Sequence, residues 1–139
     1  MSKIINVDFK NKKKNQEKSI EVYQGGYDFK HIMKKALFLI YYDTIEMIMK
    51  YGIPDKHKII ITFRTQDDGV ILSDDMKEKH PTLISVILQH QYKNIKIDGN
   101  GFLVDLSFNG RWQTVRIPFE SIIELADPEM QVVFRDNNE

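Results

Sequence analysis

The stretch Asn100-Gly101-Phe102-Leu103-Val104-Asp105-Leu106-Ser107-Phe108-Asn109-Gly110 carries the pattern that decides the fold. Phe102, Val104, Leu106 and Phe108 alternate with Leu103, Asp105 and Ser107, the period of a strand with one buried and one wet face. Asn-Gly stands at each end. Both residues tolerate the positive φ angles of tight primed turns, so each pair predicts a hairpin. The strand is therefore expected to pair antiparallel with Ile95 to Ile97 before it and with Trp112 to Ile117 after it.

Working outward, Lys58 to Thr65 is rich in β-branched and aromatic residues and reads as a strand. Gln66 to Gly69 reads as a turn and Val70 to Leu72 as a short strand. Ser73 to His80 is polar enough for one helical turn, stopped by Pro81. Leu83 to Tyr92 is read as one continuous strand. Pro118 to Ser121 forms a corner, followed by Ile122 to Ala126 as a strand or turn and Gln131 to Phe134 as the last strand.

Upstream, Gly25-Gly26 breaks the chain and Asp28 is placed to cap a helix from Phe29 to Lys50, which Gly52 and Pro54 end. Phe29, Met33, Ala36, Ile40 and Met47 lie near one stripe, and Leu37, Leu39, Tyr41, Ile48 and Tyr51 spread the apolar surface further round. A helix on the surface of a monomer keeps a polar half. This one has only a narrow polar strip, so it is either deeply buried or packed both on its own sheet and on a second subunit. The fold class expected is α+β: one long N-terminal helix, then a small, partly open antiparallel β-barrel. Residues 1–24 are expected to be a basic arm with little order, 25–135 one domain (helix 27–52, β domain 58–134), and 136–139 a short tail.

With 42% hydrophobic and 29% charged residues over 139 positions, the chain has the composition of a single globular domain. There are no cysteines, which removes disulfides and thiolate chemistry. The longest strongly apolar run, Ala36 to Tyr42, is far short of the roughly 20 residues of a membrane span. No secretory signal pattern opens the chain, so the cytoplasm is the expected location. The formal net charge of zero is unevenly spread: residues 1–18 hold six lysines against Asp8 and Glu17, and the end of the chain is acidic. The lysine stretch Lys10 to Lys18 admits a second reading, a small-barrel RNA-binding module with the arm on phosphates. The β domain shows no basic stripe interleaved with aromatics, and nucleic acid is not the expected partner.

No catalytic motif is present. The chain lacks H-E-x-x-H, G-x-S-x-G and the phosphate-loop pattern. His31, His57, His80 and His90 have no ligand spacing, so no metal is expected. Asp67-Asp68 and Asp74-Asp75 fall in polar stretches where Asp serves turns and caps. Neither enzyme activity nor a cofactor is expected. The remaining candidate is Ile84 to Tyr92. Read as a strand, it puts Ile84, Val86, Leu88, His90 and Tyr92 on one face and Ser85, Ile87, Gln89 and Gln91 on the other. A primary amide both donates and accepts, so Gln89 and Gln91 suit the backbone of an extended peptide. Two glutamines on a solvated strand face are the plainer reading.

Several short motifs occur together in order: ITFRT (61–65), GVILS (69–73), VILQHQY (86–92), LSFNG (106–110), VRIPFESI (115–122) and ADP (126–128). In these, and in the helix with its YGIP junction at 51–54, the chain resembles the SspB family (stringent starvation protein B), in particular its alphaproteobacterial branch, over roughly residues 27–134. The resemblance implies a β domain of SH3-related or Sm-like topology and a homodimer formed through the N-terminal helix, with Met33, Leu37, Ile40, Tyr41 and Ile48 at the contact. It implies binding of ssrA-tagged polypeptides and their delivery to ClpX of the ClpXP protease. It places the peptide groove at Gln89, His90 and Gln91, with Tyr92 beside them and Leu106 as a further wall. Family members continue into a tail that docks on ClpX; here Arg135 to Glu139 follow Phe134.

Overall fold

The computed structural model describes residues 3–7 and 28–136. Strand β1 is Lys3–Val7 and helix α1 is Phe29–Tyr51. The Asp28 carboxylate caps α1 by accepting the His31 N–H at 3.2 Å, satisfying a donor that the first turn leaves open. Gly52 ends the helix at φ 71°, its N–H on the Ile48 carbonyl. Leu37, Tyr41, Ile45 and Ile48 are the buried residues. Their spacing of four, four and three puts them on one stripe. Beside that stripe the Phe38 and Tyr42 rings meet Phe119 at centroid distances of 5.2 and 5.7 Å.

The strands that follow are β2 (Ile59–Arg64), β3 (Leu83–Leu88), β4 (Tyr92–Asp98), β5 (Gly101–Phe108), β6 (Arg111–Pro118), β7 (Ile122–Asp127) and β8 (Val132–Asp136). A short helix α2 (Asp74–Lys79), capped by Ser73, precedes β3, and a 3-10 turn spans Phe119–Ser121. They form two sheets, one in the order β1-β8-β7-β2-β3 and one in the order β4-β5-β6. All pairings are antiparallel except β1 with β8. The inward side chains of both sheets, among them Ile61, Phe63, Leu88, Phe102, Val104, Val115 and Ile117, make one core with the α1 stripe. The two sheets curl over this core without closing. The fold is α+β, consistent with a small, partly open barrel.

Arg116 straps the open arrangement together. Its guanidinium donates to the Gly69 carbonyl (3.0 Å), the Asp98 carbonyl (2.9 Å) and the Asn100 side-chain oxygen (3.1 Å). A planar fork with several donors is suited to holding two loops at once, here the Gly69 loop and the β4–β5 turn. Its backbone forms a bridge with Ile71 in both directions, at 3.2 and 3.0 Å.

Four sequence expectations are revised. Val70 to Leu72 is not a strand but this single bridge at Ile71. The β4–β5 hairpin turns at Gly99-Asn100, where Gly99 has φ 63°, so Gly101 lies inside β5; Asn109 (φ 52°) and Gly110 (φ 79°) do form the second turn as expected. Leu83 to Tyr92 is two strands in different sheets, separated by a bend at residues 89–91. Lys3–Val7, inside the arm expected to lack order, pairs with β8; the lysine stretch Lys10 to Lys18 lies outside the described residues.

Gly101 is required by close approach. A Cβ there would stand 2.8 Å from the Ile117 carbonyl oxygen and 2.9 Å from the Pro118 Cα. Gly101→Ala is expected to cost about 1–3 kcal/mol, the usual penalty for overpacking, read as a lowered midpoint in chemical denaturation with an unchanged slope.

Candidate functional site

The chain passes from the first sheet to the second at Gln89-His90-Gln91. On the near side, β3 alternates strictly, with Ile84, Val86 and Leu88 buried and Leu83, Ser85 and Ile87 exposed. On the far side, half-buried Tyr92 packs against the core and opens β4. Leu88 is fully buried, so the chain is pinned on both sides of the bend. Gln89 is half-buried; His90 and Gln91 are exposed. The two glutamines are neighbours because of a corner, not because they share a strand face, and the strand reading of this segment is corrected accordingly. The corner lies between two sheet edges, since β3 ends one sheet and β4 begins the other.

Leu106 sits opposite Tyr92 in the β4–β5 ladder and is 3% exposed. It backs the corner from within the core and offers almost no surface. Gln113, which sequence reasoning missed, faces Leu106 from β6. Its side-chain carbonyl oxygen is buried with no hydrogen-bond partner among the described residues. The available signal was a glutamine at an inward position of β6, in alternation with Val115 and Ile117.

The outer face of the second sheet is polar and ordered. Asp105 accepts from the Asn94 amide and the Thr114 hydroxyl, both at 2.7 Å. Asn94, at φ 55°, lies where β4 slips register against β5, between Lys93 and Lys96. The Asn94 bond, then that of Thr114, then the Lys93 charge hold the Asp105 carboxyl below its usual range. Lys93 also lies over the half-exposed Trp112 ring, 4.2 Å from its centroid.

The helix residues divide differently from expectation. Leu37, Tyr41 and Ile48 are 4%, 2% and 6% exposed within the subunit, and Met33 and Ile40 are half-buried against the same core. Leu37, Tyr41 and Ile48 lie on the buried stripe of α1, whereas Met33 and Ile40 keep part of their surface exposed at its margin. The exposed apolar residues of α1 are Phe29, Met49 and Tyr51 near its ends and Ile32, Ala36, Leu39 and Met47 along its outward face. Burial, then the nearby Asp136 and Glu124, push the Tyr41 hydroxyl well above the ordinary tyrosine range. A cleft of about 440 Å³ lies beside this part of α1, lined by Phe38, Tyr41, Arg64 and Phe119 among others; none of residues 89–92 lines it.

Among the described residues no group of three or more His, Asp or Glu side chains is placed to hold a metal ion. No described helix is long and apolar enough to cross a membrane.

A protein-family model described as stringent starvation protein B, SspB, matches residues 31–138. The chain belongs to the SspB family. This is a family of adaptors for the ClpXP protease, and the match covers α1 from residue 31 onward, β2 to β8 and the corner between the sheets. No curated protein matches the chain.

A pH titration followed by carboxyl NMR should find Asp105 protonating below the ordinary carboxylate range, and Asn94→Ala should raise its midpoint. With its folded pKa depressed, Asp105 contributes stability above the unfolded-state pKa and loses it as pH falls through the folded value. An unmoved midpoint in Asn94→Ala would show that the Asn94 amide does not bind the Asp105 carboxylate in solution.

Proposed function

We propose that this SspB-family chain binds ssrA-type degradation tags as extended peptides at the Gln89–Gln91 corner and tethers the tagged polypeptides to ClpX of the ClpXP protease. Membership in the adaptor family carries the reading, and the geometry of the corner supports it. Gln89 and Gln91 stand beside two sheet edges, and each amide offers a donor and an acceptor to a peptide backbone. Ile87, half exposed on β3, supplies apolar surface next to them. Tyr92 forms the inner wall, His90 the outer rim, and Leu106 supports Tyr92 from beneath.

The adaptor makes and breaks no bond. Holding substrate beside the protease raises the local tag concentration at the unfolding pore, so modest peptide affinity is enough. The site of action is the cytoplasm, where the protease works. The working unit is a homodimer joined through the outward face of α1, at Ile32, Ala36, Leu39 and Met47. Exposed apolar residues on three of the turns and again beyond Asp43 suit an isologous contact between two such helices, with Asp43 at its edge.

Gln89→Ala and Gln91→Ala should each weaken binding of a fluorescent ssrA-tag peptide about two- to tenfold, the loss of one hydrogen bond of about 0.5–1.5 kcal/mol. Both variants should keep the parental unfolding midpoint; unchanged affinity in both removes the corner from the site. Degradation of a tagged reporter by ClpXP should accelerate when the protein is added.

For the helix, Leu39→Glu should leave a folded monomer in sedimentation analysis. Leu37→Glu should instead unfold the domain, because it buries an unpaired charge. A Leu39→Glu protein that sediments as a dimer would place the interface elsewhere.

A further inference from the structure

An unpaired sheet edge attracts other chains, and proteins blunt such edges with bulges, lysines, proline or covering segments. Two edges here are blunted. The outer edge of β6 is bridged by Ile71 through two backbone bonds. The outer edge of β4 carries the irregularity at Asn94, pinned by Asp105, with Lys93 and Lys96 on either side.

The outer edge of β3 carries none of these devices. Leu83–Leu88 pairs with β2 residue for residue, without a register shift. Its sequence, LISVIL, holds no charge, no proline and no glycine. Among the described residues no backbone hydrogen bond reaches it from the outer side. Leu83 and Ile87 are 40% and 52% exposed. This regular, uncharged edge runs without interruption into Gln89.

We propose that the peptide bound at the corner adds to the first sheet as a further strand, its main chain paired with the outer edge of β3 and its register set by Gln89 and Gln91. The inference rests on the peptide-binding reading and specifies its mode, strand addition. β3 offers six residues, at about 3.3 Å each, so it holds a segment of about six residues. Every second ligand side chain stands on the face of Leu83, Ser85 and Ile87. The ligand class is therefore an extended segment with an apolar side chain beside Ile87, a small or polar one beside Ser85, and no proline where its N–H must reach β3. β4 takes no part in the pairing.

A backbone N-methyl scan of a synthetic ssrA-tag peptide tests this, by competition against the fluorescent unmodified peptide on the full-length protein. Methylation removes one N–H and leaves every side chain in place. Strand addition predicts a period of two: alternate methylations weaken binding about tenfold or more, and those between change it less than about twofold. Hydrogen exchange should show alternate β3 amides gaining protection on binding while β4 amides do not. A scan without alternation, or protection gained on β4, overturns the edge assignment and leaves corner binding standing if the Gln89 and Gln91 variants still lose affinity. No binding of the unmodified peptide overturns both.

Discussion

Leu88 and Tyr92 are each held against the core, but in different sheets, and only three residues separate them. Most of what distinguishes the site follows from that constraint. The chain must change sheets within residues 89–91, so no neighbouring strand pairs with the bend and its polar side chains turn outward. The same crossing makes β3 the last strand of one sheet and β4 the first of the other. Two edges and two amides therefore meet at one place because the core leaves the chain no longer route. Peptide recognition needs little more than such a corner, since main-chain bonds supply affinity and small side-chain contacts supply selectivity.

The rest of the fold keeps the corner open. The Arg116 strap ties the β4–β5 turn to the Gly69 loop on the far side of the second sheet. Helix α1 lies along the core through Leu37, Tyr41, Ile45 and Ile48, and Phe119 meets it beyond the end of β6. Packing of this kind fixes the angle between the sheets, and none of these contacts involves the outer side of β3. It also leaves Ile32, Leu39 and Met47 facing away from the subunit, so one helix can serve its own core on one side and a partner on the other.

Local features were legible in the sequence and pairings were not. The Asp28 cap, the Gly52 stop, the Asn109-Gly110 turn and the alternation through β5 depend on residues a few positions apart, and each stands as read. The Leu83–Tyr92 segment fails because apolar and polar residues go on alternating through His90 and Tyr92 while the chain changes sheet; a strand's own sequence does not name its neighbour. Gly99-Asn100-Gly101 offers two turn pairs, and the choice rests on Gly101 lying against the Ile117 carbonyl, a contact across strands. The helix is apolar almost all round, so its stripe of burial was set by the sheets beneath it. The proposed peptide site was picked out by family motifs, while the geometry of that corner became visible only from the strand order.

The proposed seat of the peptide is the β3–β4 corner. Amide chemical-shift mapping of the isotope-labelled protein, titrated with an ssrA-tag peptide, tests it most directly. The largest changes should run along residues 83–92 and fade across β5 and β6. Changes centred on the outward face of α1, or on the cleft beside Phe38 and Phe119, would contradict it.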